Sequence, residues 1–286
     1  MLYPDFTELV QLKSRVSRRR ILSNRKAKSR LVGDYLSSFR GHGMEFSEVR
    51  HYVLGDDVRK IDWRVTARIG QPHIKLFEEE RQLNILLCVD LNKTMMFGTR
   101  GTFKSIQAAR CSALLGWCAN TNGDSVGAYL FGDSLQQELF LRVQRSRQSL
   151  WQMLKTLSST ETNPGNQEYV NLFTPVEFLQ KNVKPGSIVF VISDFLRIDQ
   201  KFKQQICYLS KKAQVIFISI NDPADQDILA IGNVLFAAND KDRVHIATDS
   251  AIGRKNYQEQ WENNRNELHN IASDFGIRVI DIKKAH

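Results

Sequence analysis

The chain has 286 residues and a formal net charge of +9, with 42% hydrophobic and 25% charged residues, a composition that fits one large or two modest globular domains. No stretch approaches the roughly 18–20 uncharged apolar residues that span a bilayer. Met1-Leu2-Tyr3-Pro4-Asp5 lacks the basic-then-apolar layout of a secretion signal. The four cysteines (Cys88, Cys111, Cys118, Cys207) are scattered with no Cys-x-x-Cys, which predicts buried reduced thiols and a cytoplasmic protein.

In chain order, residues 5–40 read as mainly helical and end at the turn Gly41-His42-Gly43. The charge is concentrated here: residues 1–40 hold ten Lys or Arg against three acids, and residues 13–30 hold nine basic residues and no acid. One reading makes 13–30 a contact for nucleic acid or an anionic membrane surface. The other makes it a solvated helix with Leu9, Leu12, Val16 and Leu31 on the inner side. No aromatic residues interleave the basic ones to stack on bases.

Residues 44–80 read as irregular, with short extended pieces such as His73–Phe77. From Glu45 to Arg81 there are eight acids and seven Lys or Arg, so these groups must pair with each other or await a partner. In one reading Arg59, Arg64, Arg68 and Arg81 pair with Asp56, Asp57, Asp62 and nearby glutamates as a structural clasp, and Trp63 fills an apolar gap. In the other, part of the network meets a partner, and the outer residues Arg50, Arg59 and Arg68 are the expected contacts.

A strand–helix alternation begins at residue 83. Strands are predicted at Leu83–Val89, Ser125–Phe131, Ser187–Ile192, Val215–Ile220, Val234–Ala237 and Ile277–Ile280, with Ser134–Leu141 as a hairpin arm. Helices are predicted at Lys104–Asn120, Ser149–Leu157, Pro175–Lys181, Gln200–Ala213 and Arg254–Asp274. Apolar strands alternating with amphipathic helices predict a mostly parallel α/β sheet covered on both faces. The expected division is an N-terminal helical and charged segment, 1–82, and an α/β domain, 83–286. Asp90 and Asp194 directly follow strands, which puts them at the carboxyl edge where such sheets bind ligands.

The series Gly41-x-Gly43-x-Glu45-Phe46-x-Glu48-x-Arg50-x-Tyr52, then Gly55-Asp56-Asp57-x-Arg59-x-Ile61-Asp62-Trp63-x-x-Thr66-Ala67-Arg68, resembles domain-of-unknown-function family 58. The likeness continues through Glu79-Glu80-Arg81, Asp124-x-Val126-Gly127, Ser193-Asp194-Phe195 and Asp222-Pro223. This resemblance implies a von Willebrand factor A-like, doubly wound core. It also implies partner binding beside a MoxR-type AAA ATPase and an unidentified client. A domains of that type carry a metal-ion-dependent adhesion site, in which Asp-x-Ser-x-Ser, a Thr and a later Asp hold Mg²⁺ through hard oxygen ligands. The matching positions here are Asp90, Asn92, Thr94 and Asp194, with Val170 at the Thr position and Lys93 bringing a positive charge close.

Enzymatic signatures are sparse. The sequence contains no Gly-x-x-x-x-Gly-Lys phosphate loop, no Gly-x-Ser-x-Gly elbow, and no His-x-x-x-His among its six histidines. The enzymatic alternative is a carboxylate-metal hydrolase using Asp90, Asp194 and Asp57. The leading expectation is a non-enzymatic adaptor.

Overall fold

The structure is a computed structural model that describes residues 4–16, 44–56, 58–79, 82–99, 101–133, 135, 138–159, 169–228, 230, 232–237 and 243–283. The chain forms two compact units, one of Met1–Ser23 with Leu83–His286 and one of Asn24–Gln82.

In the first unit a six-stranded sheet runs in the order β10-β7-β6-β3-β4-β5. Its strands are β3 (Asn84–Asp90), β4 (Ser125–Phe131), β5 (Leu139–Gln144), β6 (Ile188–Ser193), β7 (Gln214–Asn221) and β10 (Arg278–Lys283). All neighbours are parallel except β5, which returns antiparallel beside β4. Strand β3 shows why: Ile85, Leu87 and Val89 enter one core, while Leu86 and Cys88 enter the other. A strand buried on both faces has no polar side to show water, so its sequence is a continuous apolar run.

The first core lies under α1 (Phe6–Gln11), α3 (Lys104–Thr121) and α4 (Arg147–Ser158). The second lies under α5 (Phe173–Asn182), α6 (Gln200–Lys212) and α8 (Ala251–Asp274). Side-chain caps set several of these starts: Ser146 accepts from the Gln148 N–H, Asp199 from Phe202 and Ser250 from Gly253. The short α7 (Pro223–Gln226) begins with a capping box between Asp222 and Asp225. This is the expected fold class, a doubly wound, mostly parallel α/β sheet with helices on both faces.

Some boundaries differ from the sequence reading. The hairpin arm expected at Ser134–Leu141 is β5, which starts at Leu139, because its register opposes Leu139 to Leu130. The strand β8 (Asn233–Ala237) has an antiparallel partner β9 (Arg243–Ala247) that the sequence reading leaves out. The helix expected over 5–40 is described only as α1 and a following 3-10 turn, Leu12–Arg15; residues 17–43, including the Gly41-His42-Gly43 turn, lie outside the described residues.

Helix α1 belongs with the α/β unit, although the sequence groups it with the charged segment. Leu9 is fully buried in the first core, its carbonyl accepts from the Trp117 indole N–H at 3.0 Å, and Glu8 pairs with Arg110 at 2.7 Å. Cys88 is buried, and Cys111, Cys118 and Cys207 are partly buried free thiols.

The second unit contains β1 (Met44–His51), α2 (Trp63–Ile69) and β2 (His73–Glu79). Strand β1 lies in the stretch read as irregular; it pairs antiparallel with β2, and a bulge between Phe46 and Glu48 breaks its alternation.

Candidate functional site at the carboxyl edge of the sheet

Strands β3, β6 and β7 end side by side, and each is followed by or ends on a carboxylate or amide that turns inward. Asp90 is fully buried. Its Oδ1 accepts from the Asn92 backbone N–H and from Asn92 Nδ2, both at 2.9 Å, and its Oδ2 accepts from the Ser193 hydroxyl at 2.6 Å. Asn92 is likewise consumed: Nδ2 also donates to the Val170 carbonyl at 3.0 Å. Its Oδ1 accepts from the N–H groups of Val170 at 3.1 Å and Asp133 at 3.2 Å. Val170, at the position of the adhesion-site threonine, therefore reaches the edge through its backbone alone. Gly132 lets the loop after β4 press against the one after β3, since a Cβ there would sit 2.3 Å from the Leu91 carbonyl carbon.

Asp194 follows β6, and the next residue, Phe195, has φ of 52°, a conformation in which a bulky side chain is an outlier. The strain is held by the Phe195 N–H donating to Ser193 Oγ at 3.1 Å and by the buried ring packing against Phe202 and Phe217. The turn aims the Asp194 carboxylate at a residue the sequence reading did not single out. Lys104, the first residue of α3, donates from Nζ to Asp194 Oδ2 at 2.9 Å and to both oxygens of Asp225 at 3.3 Å, and is 3% exposed. The Phe97 ring lies 5.6 Å from the ammonium. Arg265, reaching in from α8, donates to the Asp194 carbonyl at 2.6 Å and to the Ser219 hydroxyl.

Asp222, after β7, completes the cluster. Its oxygens accept from Thr99 N–H and from Ala224 N–H at 3.0 Å each, and from the Thr99 hydroxyl. Electrostatics follow from burial and these partners. Burial pushes the Asp90 carboxyl up to about 7, aided by the charge of Asp194 and opposed by hydrogen bonds from Ser193 and Asn92. Burial works against the Lys104 ammonium, yet Asp194 and Asp225 outweigh it and hold its pKa above the ordinary lysine value. Burial raises Asp225 as well, while for Asp222 it is overcome by the bonds from Thr99 and Ala224, which lower its pKa.

The four residues expected to hold Mg²⁺ do not fit that ion. The edge brings Asp90, Asn92 and Asp194 together, but both oxygens of each carboxylate already accept from internal donors, Asp194 Oδ1 from the Leu196 N–H at 3.3 Å. The Asn92 amide is engaged at both ends, and an ammonium stands against Asp194. Only the Thr94 hydroxyl is buried without a hydrogen-bond partner among the described residues of this four-residue set. Mg²⁺ needs near-octahedral oxygen at about 2.0–2.1 Å, and here it would have to share carboxylate oxygens that already accept from internal donors, with the Lys104 ammonium repelling it at Asp194. Among the described residues no group of His, Cys, Asp or Glu is arranged to hold a metal.

In the second unit the charged motif is organised differently. Arg50, expected to face a partner, instead grips Asp56 through two hydrogen bonds of 2.7 and 2.8 Å, and Asp56 also accepts from the Val53 N–H at 2.9 Å. Asp62 caps α2, accepting from Arg64 and Val65 N–H, and Gly70 closes that helix in a left-handed conformation. Trp63 fills no apolar gap: it is 68% exposed. Arg59, Arg64 and Arg68 are exposed, and among the described residues Arg64 and Arg68 form no ion pair, so neither of those two is a clasp partner of Asp56 or Asp62. Asp57 and Arg81 lie outside the described residues.

The first unit is thus a doubly wound, mostly parallel α/β domain whose carboxyl edge carries the Asp90-x-Asn92-x-Thr94 loop and a second strand-end aspartate, Asp194. The signature Gly55–Arg68 precedes it. The chain belongs to the family described as Protein of unknown function DUF58, whose model matches residues 48–267. It is 28% identical over 205 residues to Uncharacterized protein Rv1480 of Mycobacterium tuberculosis and, equally, to Uncharacterized protein Mb1516 of Mycobacterium bovis. Those matches cover 72% of this chain and 63% of each relative's length. Among solved structures the chain is similar to the conserved hypothetical protein BatB from Bacteroides thetaiotaomicron, at 13% identity and a TM-score of 0.47 over 71% of this chain and 91% of that one. It is also similar to the SpRpn10 VWA domain, at 10% identity and a TM-score of 0.39 over 72% and 93%. No helix among the described residues is long and apolar enough to cross a membrane.

Proposed function

We propose that this chain is a non-enzymatic adaptor that recognises proteins through its A-like domain. It works in the cytoplasm with a MoxR-type AAA ATPase on the assembly or maturation of a client complex. One observation carries the non-enzymatic part. Both oxygens of each of Asp90, Asp194, Asp222 and Asp225 accept from internal donors, so none of these acids is poised to activate water or hold a catalytic ion. A fold that presents loops at one sheet edge, with its charges balanced internally, suits recognition rather than turnover. The ATPase partnership is supported by the sequence resemblance.

The test is affinity capture with the tagged full chain under ATP-locked conditions. The expected result is recovery of a MoxR-type ATPase; its absence under those conditions overturns the partnership. The same preparation tests the basic segment 13–30. Retention of nucleic acid or anionic vesicles that falls steeply with salt, without any ATPase, would replace the adaptor reading.

A further inference from the structure

We propose that the Lys104 ammonium is the resident cation of the carboxyl edge, a covalently attached substitute for a divalent ion, so that this edge is assembled and charge-balanced without metal. The proposal concerns the edge itself and stands whether or not the edge docks an ATPase.

Nothing local favours a buried lysine at this position. Lys104 is the first residue of an 18-residue helix, where the aligned peptide dipoles repel positive charge, and the residue before it supplies no side-chain cap. Burial adds desolvation and the loss of rotamer freedom in a long side chain. What offsets these costs is the pair of carboxylates, Asp194 after β6 and Asp225 on α7, met at 2.9 and 3.3 Å. One ammonium thereby ties three separate elements together, as a coordinated ion would.

The chain around the lysine closes the same edge. The Lys104 N–H donates to the Phe97 carbonyl at 2.9 Å, and Thr99 is fastened to Asp222 by two hydrogen bonds. Thr99 and Lys104 are thereby bonded to the residues that follow β7 and β6. Arg265 braces the same turn from the opposite side, donating to the Asp194 backbone carbonyl, and its guanidinium lies 3.7 Å from the Asp281 carboxylate. The orphaned Thr94 hydroxyl is the one oxygen of the expected ligand set without a new partner among the described residues.

The experiment uses the full chain, thermal unfolding in EDTA or in millimolar Mn²⁺ or Mg²⁺, and Mn²⁺ binding by electron paramagnetic resonance. For the wild type the melting temperature should be the same in EDTA and in either metal, with no more bound Mn²⁺ than Asp194→Asn shows. Lys104→Ala should melt lower in EDTA, regain part of the loss with Mn²⁺ or Mg²⁺, and bind Mn²⁺ in a manner abolished by adding Asp194→Asn. A wild-type melting temperature that rises with Mn²⁺ and no longer does so in Asp194→Asn overturns the proposal, as does a Lys104→Ala protein as stable in EDTA as the wild type. If Lys104→Ala does not fold, the double variant Lys104→Met with Asp194→Asn decides. Recovery of the fold supports a charge-balancing lysine, and a double variant as unfolded as the single one overturns it.

Discussion

The carboxyl edge of the α/β sheet and the motif from Gly55 to Arg68 are both rich in charge, but they treat it in opposite ways. At the edge, Lys104, Asp90, Asp194 and Asp225 are each at least nine-tenths buried, and each has specific partners at hydrogen-bond distance. In the second unit, Arg64, Arg68 and Trp63 lie in water, and the Arg50–Asp56 pair is partly exposed. Burial makes the difference. A buried charge without a partner costs several kcal/mol, so the core dictates its neighbours, whereas water screens a surface charge and leaves it free to meet another molecule.

The sharpest way to break this contrast is at Asp194. Asp194→Ala strands the buried Lys104 ammonium beside one remaining carboxylate and should cost about 3–5 kcal/mol in urea unfolding. A loss below about 1 kcal/mol would mean that the edge is solvated like the second unit.

The next effect is on pH. The folded Asp90 carboxyl holds its proton up to about 7, while an unfolded aspartate releases it near about 4. Between those values the native state binds more protons, so stability should fall as pH rises across that window and level off above it. The slope has an upper limit of about 1.4 kcal/mol per pH unit. Asp90→Asn should flatten the profile and be most favourable relative to the wild type above pH 7. An unchanged slope would show that another group carries it.

Smaller changes are expected in the second unit. Asp62→Ala removes the cap of α2 and should cost about 1 kcal/mol. The readout is local: faster hydrogen exchange at the Thr66 and Gly70 amides, both bonded within that helix. Trp63→Ser should change stability by no more than about 0.5 kcal/mol, because the ring is exposed. A large loss of thermal stability would reveal burial of that ring in solution.

The same physics explains what the sequence disclosed. Ile85–Val89 and Ile188–Ile192 are uninterrupted apolar runs ending beside Asp90 and Asp194, so sheet, direction and edge could be inferred from local pattern. Lys104 could not be found that way. Its partners lie 90 and 121 residues downstream, and a lysine in a helical sequence ordinarily signals a wet face. The available signal was its place in the first turn, where a cation opposes the helix dipole. Asp225 and Arg265 were hidden for the same reason of distance. Strand β1 was missed because its bulge disrupts the two-residue period, and Arg50 because a charge at a strand end looks identical whether it faces a partner or folds back on Asp56.

The docking of Leu9 onto Trp117 bears on how this protein should be handled at the bench. The first helix is a plug for the core beneath α3 and α4, so trimming the chain to remove its basic stretch would also uncover the indole and leave a hole where Leu9 sat. Any loss of nucleic-acid or vesicle binding in such a truncation would be mixed with damage to the fold. Replacing the arginines and lysines of 13–30 by glutamine while keeping residues 1–12 intact separates the two effects, and an affinity tag is better joined through a spacer than set flush against Phe6.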